Sequence, residues 1–313
     1  TFSLKYHVEK TAKKDFEFTC HEIRNKISAR LKSQAELLRG QAAWFNFVPH
    51  MNRTIWKNIY ESQLIEKNLP GILGVGFATI IKPEDLSEHI KSVRAEGFPN
   101  YTVYPGGIRN FYTSIIYLEP FGGRNLRAFG YDMYSDSTRR EAMIYSRDNN
   151  SATLTKKILL VQETDKDIQA GTLMYVPVYK IGMPLKTIAQ KREAIIGWVY
   201  SPYRMGDLLH GILGNYETIN QKNLVIKIYN DSTDIDKSVL YESKIIKKDT
   251  IQAIQLFKYN DKITFNNNQW YLSFIQYSKS TSDTNYALVY FVAISGFSLS
   301  ILLFFLFISL IIS

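Results

Sequence analysis

The chain has 313 residues, of which 45% are hydrophobic and 14% aromatic, and its formal net charge is +9. This composition excludes a disordered chain and predicts a sizeable core, in one large or two small domains. Lysine and arginine are spread along the chain, which indicates a generally cationic surface and argues against a nucleic-acid groove. The single cysteine, Cys20, excludes an internal disulfide and fits a periplasm or a cytosol equally well.

The N-terminal segment has the periodicity of a long helix. From Asp15 to about Leu38, apolar residues recur three, four or seven positions apart, and Gln34 fills the gap. The stripe comprises Phe16, Cys20, Ile23, Ile27, Leu31 and Leu38. Two interpretations stay open, a dimerising stalk helix and a helix packed on its own domain. A second helix is predicted from Asn52 to Asn68, ended by Pro70-Gly71.

Strands and helices then alternate up to residue 204. Helices are predicted at Pro83–Glu96 and Ser137–Arg147. Strands are predicted at Ile72–Ile81, Tyr101–Tyr104, Tyr112–Leu118, Leu154–Gln162, Gly171–Tyr179 and Gly197–Tyr203. The pattern predicts an α+β domain built on an antiparallel sheet.

A second, smaller α+β unit is predicted next. It begins with a helix at Met205–Leu213. Its strands are predicted at Asn223–Tyr229, Ser238–Tyr241, Gln252–Tyr259, Lys262–Phe265 and Gln269–Tyr277, followed by a polar juxtamembrane linker.

The last 29 residues, Asn285 to Ser313, contain no Asp, Glu, Lys, Arg or His. An apolar helix of about 20 residues crosses a bilayer core, so this segment predicts a C-terminal membrane anchor. The predicted organisation is N-terminal helices at 1–68, a membrane-distal unit at 69–204, a membrane-proximal unit at 205–284 and a transmembrane helix at 285–313. No signal peptide precedes Thr1 and no basic flank follows Ser313, so we expect a section of a longer protein with its output module beyond Ser313.

Motifs for catalysis and metal binding are absent from the sequence. The five histidines include no pair at zinc-binding spacing. The stretch from Gly71 to Gly76 lacks the Lys-Ser/Thr of a phosphate loop, and no Gly-x-Ser-x-Gly elbow is present. The sequence therefore predicts no enzyme, no cofactor and no metal site in this region.

Polar and aromatic residues are dense in one stretch. It contains Arg109, Tyr112, Tyr117, Glu119, Arg124, Arg127, Tyr131, Asp132, Arg139 and Arg140. These side chains could line a concave site for a small ligand, or could equally form a solvated face.

An ordered series of blocks resembles the CHASE domain, the extracytoplasmic sensor of plant cytokinin receptors and of many bacterial histidine kinases and diguanylate cyclases. The blocks lie between about Pro70 and Gly214. They are Tyr104-Pro-Gly-Gly-Ile-Arg109-Asn-Phe-Tyr112, Ile116-Tyr-Leu-Glu119-Pro120, Arg124-Asn-Leu-Arg-Ala-Phe-Gly-Tyr131-Asp132-Met, Arg139-Arg-Glu-Ala-Met, Leu160-Val-Gln162-Glu, Gly171-Thr-Leu-Met-Tyr-Val-Pro177-Val-Tyr and Gly197-Trp-Val-Tyr-Ser-Pro-Tyr-Arg204-Met. The Gly-Tyr-Asp-Met and Gly-Trp-Val-Tyr blocks are most similar to those of the bacterial members.

The resemblance implies a long N-terminal helix, tandem PAS-like subdomains, flanking membrane helices and a homodimer. In the plant receptors an Asp binds the adenine of the hormone, and Asn110 occupies the matching position here. An Asn amide can also pair with an adenine edge, so an adenine-like ligand stays among the expectations. We expect Asn110, Tyr112, Tyr131, Asp132 and Arg139 to line or brace the pocket, with an Asp132–Arg139 ion pair as the alternative role of those two.

The predicted function is small-molecule sensing by the periplasmic part, residues 1–284, of a bacterial inner-membrane receptor. A ligand-free scaffold that dimerises or binds a periplasmic protein is the alternative, and an anchored hydrolase comes third. The ligand is unknown, and neither a cofactor nor nucleic acid is expected.

Overall fold

A computed structural model describes residues 2–48, 50–164, 166–214, 223–243, 254–277 and 287–312. Helix α1 spans Phe2–Phe47. The other helices are α2 (Arg53–Ser62), α3 (Ile65–Asn68), α4 (Leu86–Ala95), α5 (Ser137–Asn149), α6 (Ile188–Ala194), α7 (Met205–Leu213), α8 (Ile235–Ser238) and α9 (Ala287–Ile312). The strands are β1 (Val75–Ile81), β2 (Tyr112–Glu119), β3 (Thr153–Leu154), β4 (Gly171–Tyr179), β5 (Ile195–Arg204), β6 (Leu224–Tyr229), β7 (Val239–Glu242), β8 (Gln255–Phe265) and β9 (Asn268–Tyr277).

The apolar stripe of α1 is buried in the core of its own chain. Ile27 and Leu31 have no exposed surface, and Gln34 is equally buried. The helix contacts β4 and β5 on one side and β8 and β9 on the other. Both sheets turn apolar faces towards α1. The structure therefore agrees with the second interpretation of the stripe, a helix packed on its own domain. The expectation that this stripe forms a dimer interface is therefore corrected.

The first sheet has five antiparallel strands in the order β2-β1-β5-β4-β3. Successive residues of a strand point to opposite faces, and both faces are covered here. Val176 and Val199 face the core that contains α1. Tyr175 and Tyr200 face a second core formed with α5 and the segment around Met133. We call the first sheet the distal sheet, after the membrane-distal unit predicted at 69–204, and we call this second face its inner face.

The second sheet has four antiparallel strands in the order β7-β6-β9-β8. Along β6, buried residues alternate with partly exposed ones, and Leu224, Ile226 and Ile228 pack into the same core as α1. The predicted α+β class, with helices packed on two antiparallel sheets, is confirmed. Helix α7 follows β5 directly and contacts β7 of the second sheet.

The C-terminal apolar segment forms one continuous helix, α9. Residues Tyr290–Ile311 have a mean hydropathy of 2.5 over their most apolar window, and none of that window is buried within the molecule. A helix of this length and composition is a candidate membrane span, as predicted. The predicted juxtamembrane linker lies outside the described residues.

Several local predictions were wrong. The expected helix Asn52–Asn68 is broken at Leu64, which has a positive φ of 50°. The expected strand Leu154–Gln162 is reduced to β3. Leu160 lies outside that strand and packs against Gly171, where an added Cβ would lie 2.5 Å from the Leu160 Cγ. Tyr101–Tyr104 contributes a single bridge, from Tyr104 to Tyr131.

Two further differences concern element number. The two strands expected at Gln252–Tyr259 and Lys262–Phe265 are one strand, β8, because antiparallel pairing with β9 runs on through Asn260 and Asp261. Helix α6 was not predicted. Its signal was the capping box formed by Thr187 and Gln190.

Candidate ligand site on the inner face of the distal sheet

Asp132 is a buried hydrogen-bond acceptor at the start of the inner face. Its side chain has no exposed surface. Its Oδ1 atom accepts hydrogen bonds from the backbone N–H and the hydroxyl of Thr113, both at 2.9 Å, and from the backbone N–H of Tyr134 at 3.2 Å. These bonds tie the segment after Tyr131 to β2, because Thr113 lies at the beginning of that strand.

The other oxygen of Asp132 faces an arginine. Arg109 Nε lies 3.4 Å from Asp132 Oδ2, an ion pair without a hydrogen bond of good geometry. Arg109 also donates to the carbonyl oxygens of Pro105 at 3.1 Å and Gly107 at 3.3 Å. It therefore connects the exposed loop 105–110 to the buried carboxylate.

Tyr112 braces the same loop. Its side chain is buried, and its hydroxyl donates to the Gly107 carbonyl at 2.8 Å. The Arg109 guanidinium lies 5.6 Å from the centre of the Tyr112 ring, within the range of a cation–π contact. Tyr112 and Asp132 thus contact the same arginine.

Arg139, on α5, forms the cationic centre of a second group. Its guanidinium lies 5.3 Å from the ring centre of Tyr131. Its Nη1 lies 3.3 Å from Asp136 Oδ2, and its Nη2 donates to the Leu159 carbonyl at 2.9 Å. The expected alternative, an Asp132–Arg139 ion pair, is not formed; Asp132 pairs with Arg109, and Arg139 pairs with Asp136.

Four tyrosines belong to this second group, and we call them the tyrosine cluster: Tyr104, Tyr131, Tyr175 and Tyr200. The rings of Tyr104 and Tyr131 are 5.5 Å apart, and those of Tyr175 and Tyr200 are 6.3 Å apart. Burial raises the pKa of both Tyr175 and Tyr200, and the nearby Arg139 cation opposes that rise. Burial, with a smaller effect of Tyr131, raises the pKa of Tyr104 to about 12. These three phenols are therefore neutral at physiological pH, and a neutral phenol can both donate and accept.

Two buried polar atoms in this region have no hydrogen-bond partner among the described residues. They are the Tyr200 hydroxyl and Asp132 Oδ2. Among the described residues, the Tyr175 hydroxyl has only the sulfur of Met133 as acceptor, at 3.1 Å. Buried polar groups are normally hydrogen-bonded, so these two atoms are candidates for hydrogen bonds to a polar ligand.

The structure brings four of the five expected residues together in two adjoining groups, Tyr112 with Asp132 and Tyr131 with Arg139. Asn110 is different. Its side chain is exposed, in the loop before β2. Its role in ligand recognition stays a prediction.

Sequence reasoning missed Tyr104, Tyr175 and Tyr200 as members of the site. Tyr175 and Tyr200 belong to strands buried on both faces, where composition does not reveal which side chains face a ligand. A signal was present in their spacing, because both lie an even number of positions from other inner-face residues, Leu173 and Trp198.

No group of three or more His, Cys, Asp or Glu residues with metal-binding geometry occurs in the part of the chain that the structure describes. The site offers hydroxyls, a carboxylate and a guanidinium, which suit recognition by hydrogen bonds and charge.

The described residues thus form an antiparallel sheet with an aromatic, polar inner face, packed on a long helix and followed along the chain by a candidate membrane span. A family model for the CHASE domain matches residues 49–241, well over half of the chain. The chain belongs to the CHASE domain family, whose members are extracytoplasmic, non-catalytic sensor domains of signalling receptors. No curated protein matches the chain.

Proposed function

We propose that residues 69–204 bind a polar small molecule on the inner face of the distal sheet and that occupancy is passed across the membrane through a homodimer. The receptor would be a bacterial inner-membrane protein of histidine kinase or diguanylate cyclase type, with residues 1–284 in the periplasm. Charge spread along the chain gives no support for a nucleic-acid partner.

The observation that carries this proposal is the Tyr200 hydroxyl. It is fully buried, has no hydrogen-bond partner among the described residues, and lies near Arg139. Leaving such a group unpaired costs about 1–3 kcal/mol, and a ligand atom that pairs with it removes that cost in the bound state only. Ligand binding therefore has a ready source of favourable free energy at this position.

Loop 105–110 offers a route to the site. Most of its residues are exposed, and Ile108 is fully so. Arg109 and Tyr112 hold the loop closed through the carbonyls of Pro105 and Gly107 and through Asp132. A ligand that competes for Asp132 Oδ2 would release Arg109. The loop with Arg109 bound to Asp132 and the loop with Arg109 released would then have different affinities for the ligand, as a sensor requires.

The test is ligand screening by thermal shift on the full chain in lipid nanodiscs. The panel contains adenine derivatives, amino acids, short peptides and organic acids. A ligand at 100 times its dissociation constant stabilises the folded state by about 2.7 kcal/mol, which raises the melting temperature by several degrees.

Calorimetry with each hit then compares the wild type with Tyr200→Phe, Arg139→Gln and Asn110→Ala. Tyr203→Phe is the matched control, because Tyr203 is as buried as Tyr200 but belongs to the core on the α1 side of the sheet. Weaker binding in Tyr200→Phe and Arg139→Gln with unchanged binding in Tyr203→Phe supports the site. Unchanged binding in all variants places the ligand elsewhere.

Because the amide of Asn110 is exposed, it can contact a ligand on the inner face only if loop 105–110 rearranges when the ligand binds. An adenine derivative that loses affinity in Asn110→Ala would support the adenine-type role. A hit with equal affinity in that variant removes Asn110 from the site.

A ligand-free scaffold is the alternative, and it predicts no hit in a wide panel. Sedimentation of the full chain in detergent measures dimerisation in either case. Protease access in spheroplasts tests the orientation: digestion of residues before the membrane helix from outside supports a periplasmic position, and full protection contradicts it.

A further inference from the structure

A groove of about 750 Å³ lies between α2, α3 and the C-terminal end of β2. Small-molecule sites commonly enclose about 300–1,000 Å³, so the groove is of suitable size. Four aromatic side chains contribute to its walls: Trp56, Tyr60, Tyr117 and Phe121. Trp56 and Tyr117 stack with their ring centres 5.8 Å apart, which fixes the shape of this wall.

The groove is distinct from the inner-face site. Trp56 and Tyr117 pack into the core on the α1 side of the distal sheet, whereas Tyr175 and Tyr200 belong to the opposite core. None of the residues of the tyrosine cluster, and neither Asp132 nor Arg109, lines the groove.

Two carboxylates around the groove, Glu66 and Glu119, form no ion pair with a described residue. Arg53 is neutralised by Glu96 at 2.8 Å and is stacked 4.4 Å from the ring centre of Phe98. Lys57 pairs with Glu61 at 3.7 Å. At the rim, α3 adds Glu66 and Lys67, one charge of each sign, both exposed.

Of these two carboxylates, Glu119 is the partly buried one, whereas Glu66 is exposed. Its Oε2 accepts the backbone N–H of Phe121 at 3.0 Å, and no described residue forms an ion pair with it. Burial raises the pKa of Glu119, the hydrogen bond from Phe121 opposes the rise, and Lys57 and Arg53 act on it only at longer range. A cation beside this carboxylate would offset its desolvation.

We propose that the groove binds a small organic cation, such as a primary or quaternary amine, with Glu119 as the counter-ion and the four aromatic rings as walls. Aromatic faces attract cations through the ring quadrupole, and aromatic walls with one carboxylate favour a cation over a neutral molecule of equal shape. The site is a second binding site, independent of the inner face.

Calorimetry on the full chain in nanodiscs tests the proposal with choline and with its neutral isostere, 3,3-dimethylbutan-1-ol. The two probes have the same shape and differ in charge. We expect choline to bind about tenfold more tightly or more, because a desolvated cation–π contact and an ion pair both depend on the charge.

Variants locate the binding. Glu119→Gln keeps an acceptor for the Phe121 N–H but removes the charge, and should weaken choline binding about tenfold. Phe121→Leu removes one aromatic wall and should also weaken it; this exposed position keeps the test available if Glu119→Gln fails to fold. Glu88→Gln, on the exposed side of α4, is the matched control and should leave the affinity unchanged.

Three results would overturn the proposal. They are equal affinity for choline and its isostere, no binding of choline at millimolar concentration, and an unchanged choline affinity in folded Glu119→Gln or, failing that, in Phe121→Leu.

Discussion

Arg109 reaches from an exposed loop to place its Nε atom 3.4 Å from Oδ2 of Asp132, a carboxylate with no exposed surface. The same carboxylate uses its other oxygen to hold β2 through Thr113. One buried side chain therefore connects β2 to loop 105–110.

Asp132→Ala should lower the free energy of unfolding by about 3 kcal/mol or more. The substitution leaves the buried backbone N–H and hydroxyl of Thr113 without their acceptor and the Arg109 cation without its carboxylate. Urea unfolding measures the change. Asp85→Ala is the control, because Asp85 is exposed and makes no capping hydrogen bond, and it should change stability by less than about 0.5 kcal/mol.

Tyr200→Phe should leave the ligand-free protein as stable as the wild type or more stable. The hydroxyl it removes is buried without a hydrogen-bond partner among the described residues, so its loss relieves a desolvation cost and opens little space. Thermal unfolding without ligand gives the sign. A marked loss of stability would show that the hydroxyl has a partner in solution.

Ile27→Asp and Leu31→Asp should unfold the region rather than dissociate a folded dimer. Both side chains lie in the core between α1 and the two sheets, where an unpaired charge is very costly. Circular dichroism and sedimentation distinguish the outcomes. Ala29→Asp, on the exposed side of the same helix, is the matched control and should stay folded. Folded monomers from the two core variants would contradict the observed packing.

Stability should fall as the pH decreases from 7 towards 5, in part through His89. Burial lowers the pKa of His89, the nearby Glu96 opposes this and Arg53 reinforces it. His89 therefore binds a proton less readily in the folded state than in the unfolded chain. The stability that is present above the unfolded pKa of about 6.5 is lost as the pH falls from that value towards the pKa of His89 in the folded state.

The measurement is urea unfolding at both pH values for the wild type and for His89→Gln, which keeps a polar partner for the Tyr101 hydroxyl, 2.8 Å from His89 Nε2. The variant should lose less stability on acidification. His50→Gln, at an exposed histidine, should behave as the wild type. An equal pH dependence in wild type and His89→Gln would exclude His89 as a source.

The sequence by itself determined the elements whose signal is local. β4 was predicted at Gly171–Tyr179 and α7 at Met205–Leu213, with the bounds that the structure has, because an apolar run and a helical period are properties of neighbouring residues. Helix α9, the candidate membrane span, follows equally from a run of residues without charge. The family resemblance likewise depended only on the residues of the blocks and on their order along the chain.

Tertiary structure decided which partner each of these elements meets. The apolar stripe of α1 has the same sequence pattern whether the helix packs on a second chain or on its own sheets. Only the apolar faces of both sheets show that the stripe is buried within its own chain. Asp132 and Arg139 are seven positions apart and oppositely charged, yet each pairs with another residue. Asp132 precedes α5 and faces loop 105–110. Arg139 points towards Asp136 and Leu159. Periodicity fixes which side of an element is apolar, but the contacts of a buried polar group depend on elements that lie far away in the sequence.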